Sequence, residues 1–148
     1  MKSKHWLLIL IPASLGNFFN AIWMMSDPGG WYLYLPAAVP DFGPLNEHFV
    51  RDLGAMFLIW GLALLWAAFS EKHRFVLLAL IAMWNGLHAL VHPFDTLRGL
   101  VASEHWLIDF PMVYAPTAIY VLLAWLARSG PRREAMSESA GSDEWAEQ

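Results

Sequence analysis

Apolar positions in this chain are not interleaved with polar ones but gathered into four long blocks, about residues 6–25, 50–69, 75–92 and 106–127. Within each block whole turns are apolar all the way round, where a helix on a soluble core would keep a polar face. A chain of 148 residues cannot supply a core large enough to bury four such helices. At ~1.5 Å rise per residue each block is about long enough for a ~30 Å hydrocarbon layer. Barrel strands would be half as long and would alternate. The pattern predicts an all-α membrane protein, a four-transmembrane-helix bundle in residues 1–128. A polar, acidic tail follows in residues 129–148 and is expected to be disordered.

The polar punctuation sets an expected orientation. Of nine Lys and Arg residues, seven (Lys2, Lys4, Lys72, Arg74, Arg128, Arg132 and Arg133) fall at one end of the spans, and only Arg51 and Arg98 at the other. The positive-inside bias then places both termini and the Ser70–Arg74 turn in the cytoplasm, and the loops 27–47 and 93–104 outside. The expected location is the cell membrane, the inner membrane if the source is bacterial. The first block follows Lys2 and Lys4 as a secretory signal would. It is too long for one, however, carries Asn17 and Asn20, and reads as a retained helix. The first outer loop holds Pro28, Pro36, Pro40 and Pro44, which argue against a continuous helix. Its Trp31, Tyr32 and Tyr34 suit the headgroup region, so the loop reads as an aromatic lid over the outer end.

Composition narrows the chemistry. With no cysteine, disulfides, thiolate zinc sites, iron–sulfur clusters and cysteine nucleophiles are excluded. A formal net charge of −4 without a basic stripe gives no footing for nucleic acid. Expected partners are the lipid bilayer and either further copies of the chain or another membrane protein. Small residues suggest how the spans pack: Gly54, Gly61 and Ala68 on the second and Ala82, Gly86 and Ala89 on the third fit close antiparallel neighbours. Pro12 should bend the first span slightly, and Pro111 and Pro116 should kink the fourth, leaving carbonyls for Thr117 or its neighbours to satisfy.

The candidate site comes from the histidines. His5 and His73 sit among basic residues at the cytoplasmic end, but His48, His88, His92 and His105 all map to the outer end. Each falls in an i,i+4 pair: His48 with Asp52, His88 with His92, His105 with Asp109. Residues so spaced share a helical face. Ionisable groups in spanning helices are costly and usually face the bundle interior. Three pairs at one depth therefore predict a transition-metal site, with Zn, Fe or Mn the ions that imidazole and carboxylate suit. Asn85, Asn17, Asn20, Glu47 and Glu104 would support the ligands. Arg51, Arg98, Trp31, Tyr32 and Tyr34 would form the pocket rim. Haem on two axial histidines ranks below a non-haem ion, because Asp52 and Asp109 would need partners of their own.

The runs NEHFVRDLGAMFLIWGLALLWAAF and GLHALVHPFDTLRG, within Asn46–Gly99, carry N-x-H-x-x-R-D-x-G and H-x-x-x-H patterns. In these the chain resembles small four-helix bacterial membrane proteins of the broad DoxX-like kind. The resemblance implies the fold and leaves the function open. Taken together, the residues predict a membrane protein with a His/Asp metal site at its outer end, and a metal-dependent enzyme on a lipid or lipid-soluble substrate would suit that location. Two alternatives remain open: a non-catalytic subunit or partner-binding protein whose polar cluster is a hydrogen-bond network, and a b-type haem or quinone-linked redox protein.

Overall fold

A computed structural model describes residues 3–128, all-helical apart from turns; the stretch 129–148, expected to be disordered, lies outside the described residues. In chain order the elements are α1 (Ser3–Ser26), α2 (Pro28–Tyr34), a 3-10 turn (Val39–Phe42), α3 (Glu47–Phe69), α4 (Glu71–Leu97) and α5 (His105–Arg128). Four of these, α1, α3, α4 and α5, are long and apolar enough to cross a membrane, at 24, 23, 27 and 24 residues.

The α1–α3 connection is structured by its own side chains. Asp27 caps α2, its carboxylate accepting the Gly30 N–H at 2.9 Å, and Pro28 takes a first-turn position where an N–H has no helical partner. The Trp31 indole donates to Asn20 on α1 at 2.8 Å, and the Tyr32 hydroxyl donates to the Gly43 carbonyl at 2.7 Å. Beyond α2 the chain turns through left-handed Ala38 (φ 48°) and Gly43 (φ 128°), which bracket the 3-10 turn. The expectation that this loop holds no continuous helix is met. Trp31, however, is no rim residue. It is buried with Met24 and Val50 where α1, α2 and α3 meet.

α3 packs antiparallel along α1. Gly54 lies against Ala21, Met24 and Met25, Gly61 against the Phe18 ring, and the Ser14 hydroxyl donates to the Gly61 carbonyl at 2.7 Å. A Cβ at Gly54 would stand 2.9 Å from Met25 Cγ, so the small residue sets the helix separation. The glycine stripe of α3 thus serves α1 and not, as its spacing suggested, α4. Gly86 of α4 has nothing within 4 Å of where a Cβ would lie. Sequence spacing finds a close-packing face but cannot name the helix that meets it.

α3 turns into α4 at Ser70, whose N–H donates to Trp66 O at 2.9 Å and whose carbonyl accepts the Arg74 N–H at 3.0 Å. Arg74 is buried there. Its guanidinium donates to the last carbonyls of α3, Ala67 O at 2.9 Å and Ala68 O at 3.3 Å, and lies 4.8 Å from the centre of the Trp6 ring. These contacts satisfy carbonyls that a helix end otherwise leaves open. The main apolar cluster sits at this end: Trp6, Leu10, Leu64, Ala67, Leu78, Ile81 and Leu123.

The prolines within the spans act in two ways. α4 does not stop before Pro93 but continues to Leu97, as α1 runs through Pro12. The Thr96 hydroxyl returns to His92 O at 3.0 Å and helps hold the last turn. A single missing N–H does not end a helix whose neighbouring turns stay bonded. In α5 the backbone widens into a π-helical turn over Phe110–Tyr114, Asp109 O accepting the N–H of both Val113 (2.8 Å) and Tyr114 (3.3 Å). The Thr117 hydroxyl lies 2.7 Å from Val113 O and 3.2 Å from Asn85 O on α4, so it joins α5 to α4 and does not take the carbonyls of Leu107 and Met112 that Pro111 and Pro116 would leave open in a regular helix.

Candidate functional site

The site forms where the end of α4, the start of α5 and the 3-10 turn meet, at the end of the bundle opposite Ser70. α4 contributes His88 and His92, one turn apart. α5 contributes His105 and Asp109, also one turn apart, and the 3-10 turn contributes Asp41 and Phe42. The π turn begins immediately after Asp109, so the extra residue in the coil sets the rotation of His105 and Asp109 relative to the rest of α5. Such turns often mark functional positions in helices.

Asp109 is the centre. Its side chain is only 1% exposed, and both oxygens are occupied: Oδ2 lies 2.8 Å from His92 Nδ1, and Oδ1 lies 3.2 Å from His105 Nδ1. The chain of contacts continues in both directions. His105 Nε2 is 3.1 Å from Asp41 Oδ2, and His92 Nε2 is 3.3 Å from His88 Nε2. Five ionisable groups therefore form one file, Asp41–His105–Asp109–His92–His88. The interior three are buried, while Asp41, with 55% of its side chain exposed, and His88 are exposed. The Phe42 ring covers the middle, edge-on to His92 (5.1 Å between centres) and to His105 (4.8 Å).

Donor counting constrains the protons. A neutral imidazole carries one N–H, yet both nitrogens of His105 face carboxylate oxygens. Making both hydrogen bonds takes either an imidazolium at His105 or a protonated carboxyl beside it. His92 needs no such excess: Nδ1–H donates to Asp109, which leaves Nε2 as acceptor for an N–H from His88. Among the described residues no buried side-chain nitrogen or oxygen lacks a partner. That completeness matters, because a buried carboxylate left with an unmade contact is strongly destabilising.

The structure gathers four of the six residues expected to bind metal and leaves two aside. His48 and Asp52 face solvent on α3, their side chains 88% and 65% exposed, and meet only each other at 3.3 Å. Val50 and Gly54 take the inward face of that turn. Among the described residues no group of three or more His, Cys, Asp or Glu side chains is placed to hold a metal ion. The expected supporting residues are also elsewhere. Asn85 donates to Ile81 O in its own helix, Asn17 to Ala13 O and Tyr120, and Asn20 accepts from Trp31. Glu47 pairs with Arg51 at 2.9 Å on the surface. Glu104 precedes α5 without a side-chain cap bond. Arg98 lies over the Phe94 ring at 5.4 Å, and Tyr34 is exposed.

Comparison with family models, curated proteins and solved structures finds no match to the chain. The DoxX-like likeness therefore rests on its quoted residues alone. Two members of the site were not anticipated: Asp41 and Phe42, in a loop read for its prolines and its Trp and Tyr residues. The signal available was an acid and an aromatic between Pro40 and Gly43, a segment too short for periodicity to orient.

Proposed function

We propose that this is a multi-pass membrane protein, with both termini cytoplasmic, whose outer end carries a proton relay for acid–base chemistry. The reading is carried by one observation: a carboxylate buried to 1% exposure shared between two imidazoles, with contacts leading outward to an exposed Asp41 and inward to an exposed His88. His/Asp chains at membrane depth are costly to bury and are associated with proton movement. His92 and His105 each bond through both ring nitrogens, so each can accept a proton at one nitrogen and release one from the other. A purely structural tie would need only the His92–Asp109 contact to join α4 and α5. It has no use for a second imidazole on Asp109 or for an exposed acid beyond that.

Hydrogen–deuterium exchange of the His92 Nδ1 proton separates the two roles, read by NMR on protein with 15N-labelled histidine in lipid nanodiscs. A relay fed from Asp41 predicts that Asp41→Asn slows this exchange at least several-fold with the fold intact. Unchanged or faster exchange in the variant would leave only a structural network.

One distance favours a second reading. Two nitrogens bound at ~2.0–2.1 Å to a tetrahedral ion stand about 3.3 Å apart, and the Nε2 atoms of His88 and His92 stand 3.3 Å apart. Asp109 on the far nitrogen of His92 matches the carboxylate that commonly orients a metal-bound imidazole. Stoichiometric Zn, Fe or Mn in purified protein, absent from His88→Ala/His92→Ala, would establish this reading.

A further inference from the structure

We propose that the inner end of the relay serves a membrane-dissolved molecule carrying a hydroxyl on a flat ring, of the phenol class, which reaches His88 from the side of the bundle. This rests on the relay reading and adds its substrate. His88 is exposed although it lies within α4, a helix apolar enough to span a membrane. The neighbouring positions on α4 are large, apolar and outward-facing: Trp84, Leu87, Leu90 and Val91 are all exposed. An imidazole presented to hydrocarbon is costly unless something polar meets it. Its Nε2 meets His92, but its Nδ1 has no hydrogen-bond partner among the described residues. With the tautomer that donates Nε2–H to His92, Nδ1 keeps an unshared lone pair.

The same flank supplies a surface for a ring. Trp84 lies one turn from His88, which puts the two on one face of α4, and its indole packs on Trp60 of α3 with ring centres 5.5 Å apart. A flat apolar molecule seated on Trp84 would bring a hydroxyl to His88. From the loop side the approach to the relay is closed, because Phe42 covers His92 and His105 and Asp41 occupies His105 Nε2. Water thus meets the relay at Asp41 and the lipid-borne ligand meets it at His88.

The proton balance is complete without a redox partner. The ligand O–H bond breaks as His88 Nδ1–H forms. The His88 Nε2 proton passes to His92 Nε2, the His92 Nδ1 proton passes to Asp109, and one proton leaves through His105 and Asp41 to water. The ligand is left as its oxyanion, and the reverse sequence restores it.

The test is a titration of 15N-histidine-labelled protein in phosphatidylcholine nanodiscs with 4-dodecylphenol, dodecylbenzene serving as the control without a hydroxyl. The expected result is a saturable shift of the His88 Nδ1 resonance with the phenol and none with dodecylbenzene. Trp84→Ala should weaken the apparent affinity about two- to tenfold, the range of an aromatic contact. An unmoved His88 resonance, whether because a second copy of the chain covers it or because the ring does not bind, would overturn the proposal. Equal shifts with both compounds would do the same. Measuring His92 Nδ1 exchange with and without Asp41→Asn in the same samples distinguishes the failures: a working relay with no phenol response removes the ligand alone, and an unresponsive exchange removes the relay itself.

Discussion

At the scale of single residues the chain spends its polarity unevenly, and exposure decides what each group is worth. His48–Asp52 and Arg51–Glu47 are i,i+4 pairs on an open helix face, and such pairs contribute at most a few tenths of a kcal/mol. Asp109 has the opposite standing. Removing it leaves His92 and His105 each with a buried nitrogen facing nothing, and breaking a buried pair typically costs about 3–5 kcal/mol. Asp109→Ala is therefore expected to lower stability by about that amount, and His48→Ala by less than about 0.5 kcal/mol. Unfolding titrations in mixed detergent micelles check both; comparable losses in the two variants would mean that Asp109 is not the keystone of the cluster. The sequence alone ranked these residues as equals. Spacing puts His48 and Asp52 on one face as surely as it does His105 and Asp109, but it does not say whether that face meets another helix.

At the scale of elements the outcome turned on backbone features that periodicity cannot see. The four spans were legible because each is a long apolar run, and their ends moved by only a few residues, most at Pro93, where α4 continues to Leu97. The π turn at Phe110–Tyr114 was not legible. Pro111 signalled a disturbance, but a kink and a widened turn begin from the same missing N–H. The distinction matters because one extra residue in the coil rotates everything before it by about 100° relative to an ideal helix. Pro111→Ala restores an N–H able to bond the Leu107 carbonyl and removes the ring that crowds it. The expected result is a regular α5 with Asp109 turned away from His92: a folded protein of unchanged helix content whose His92 Nδ1 proton resonance moves to the position of a weakly bonded imidazole. Retention of the wild-type resonance would show that the contacts of Asp109, and not the proline, hold the turn open. The lid was legible as an aromatic segment without one continuous helix, but its short helix α2 and its contribution to the site were missed, since Asp41 reaches His105 across 64 positions of sequence.

At the scale of the whole molecule the two ends of the bundle differ in kind. The end at Ser70 is closed by Arg74 and apolar side chains, and the opposite end holds the His/Asp cluster beneath the 3-10 turn. The orientation proposed from the lysine and arginine count places the relay outside. Because the chain has no cysteine, single replacements report the sidedness cleanly. In intact cells Ser103→Cys is expected to react with a membrane-impermeant maleimide and Ser70→Cys only after permeabilisation; the reverse pattern would invert the topology and place the relay at the cytoplasmic face. The proposed relay depends on one buried carboxylate joining two imidazoles. The most direct measurement of that is the 1H–15N spectrum of the histidine side chains in a lipid bilayer, wild type against Asp109→Asn. Two slowly exchanging, low-field Nδ1–H resonances, from His92 and His105, are predicted in the wild type, and both should be lost together in the variant while the helices stay folded. Histidine resonances indifferent to Asp109→Asn would contradict the shared carboxylate, and with it the relay.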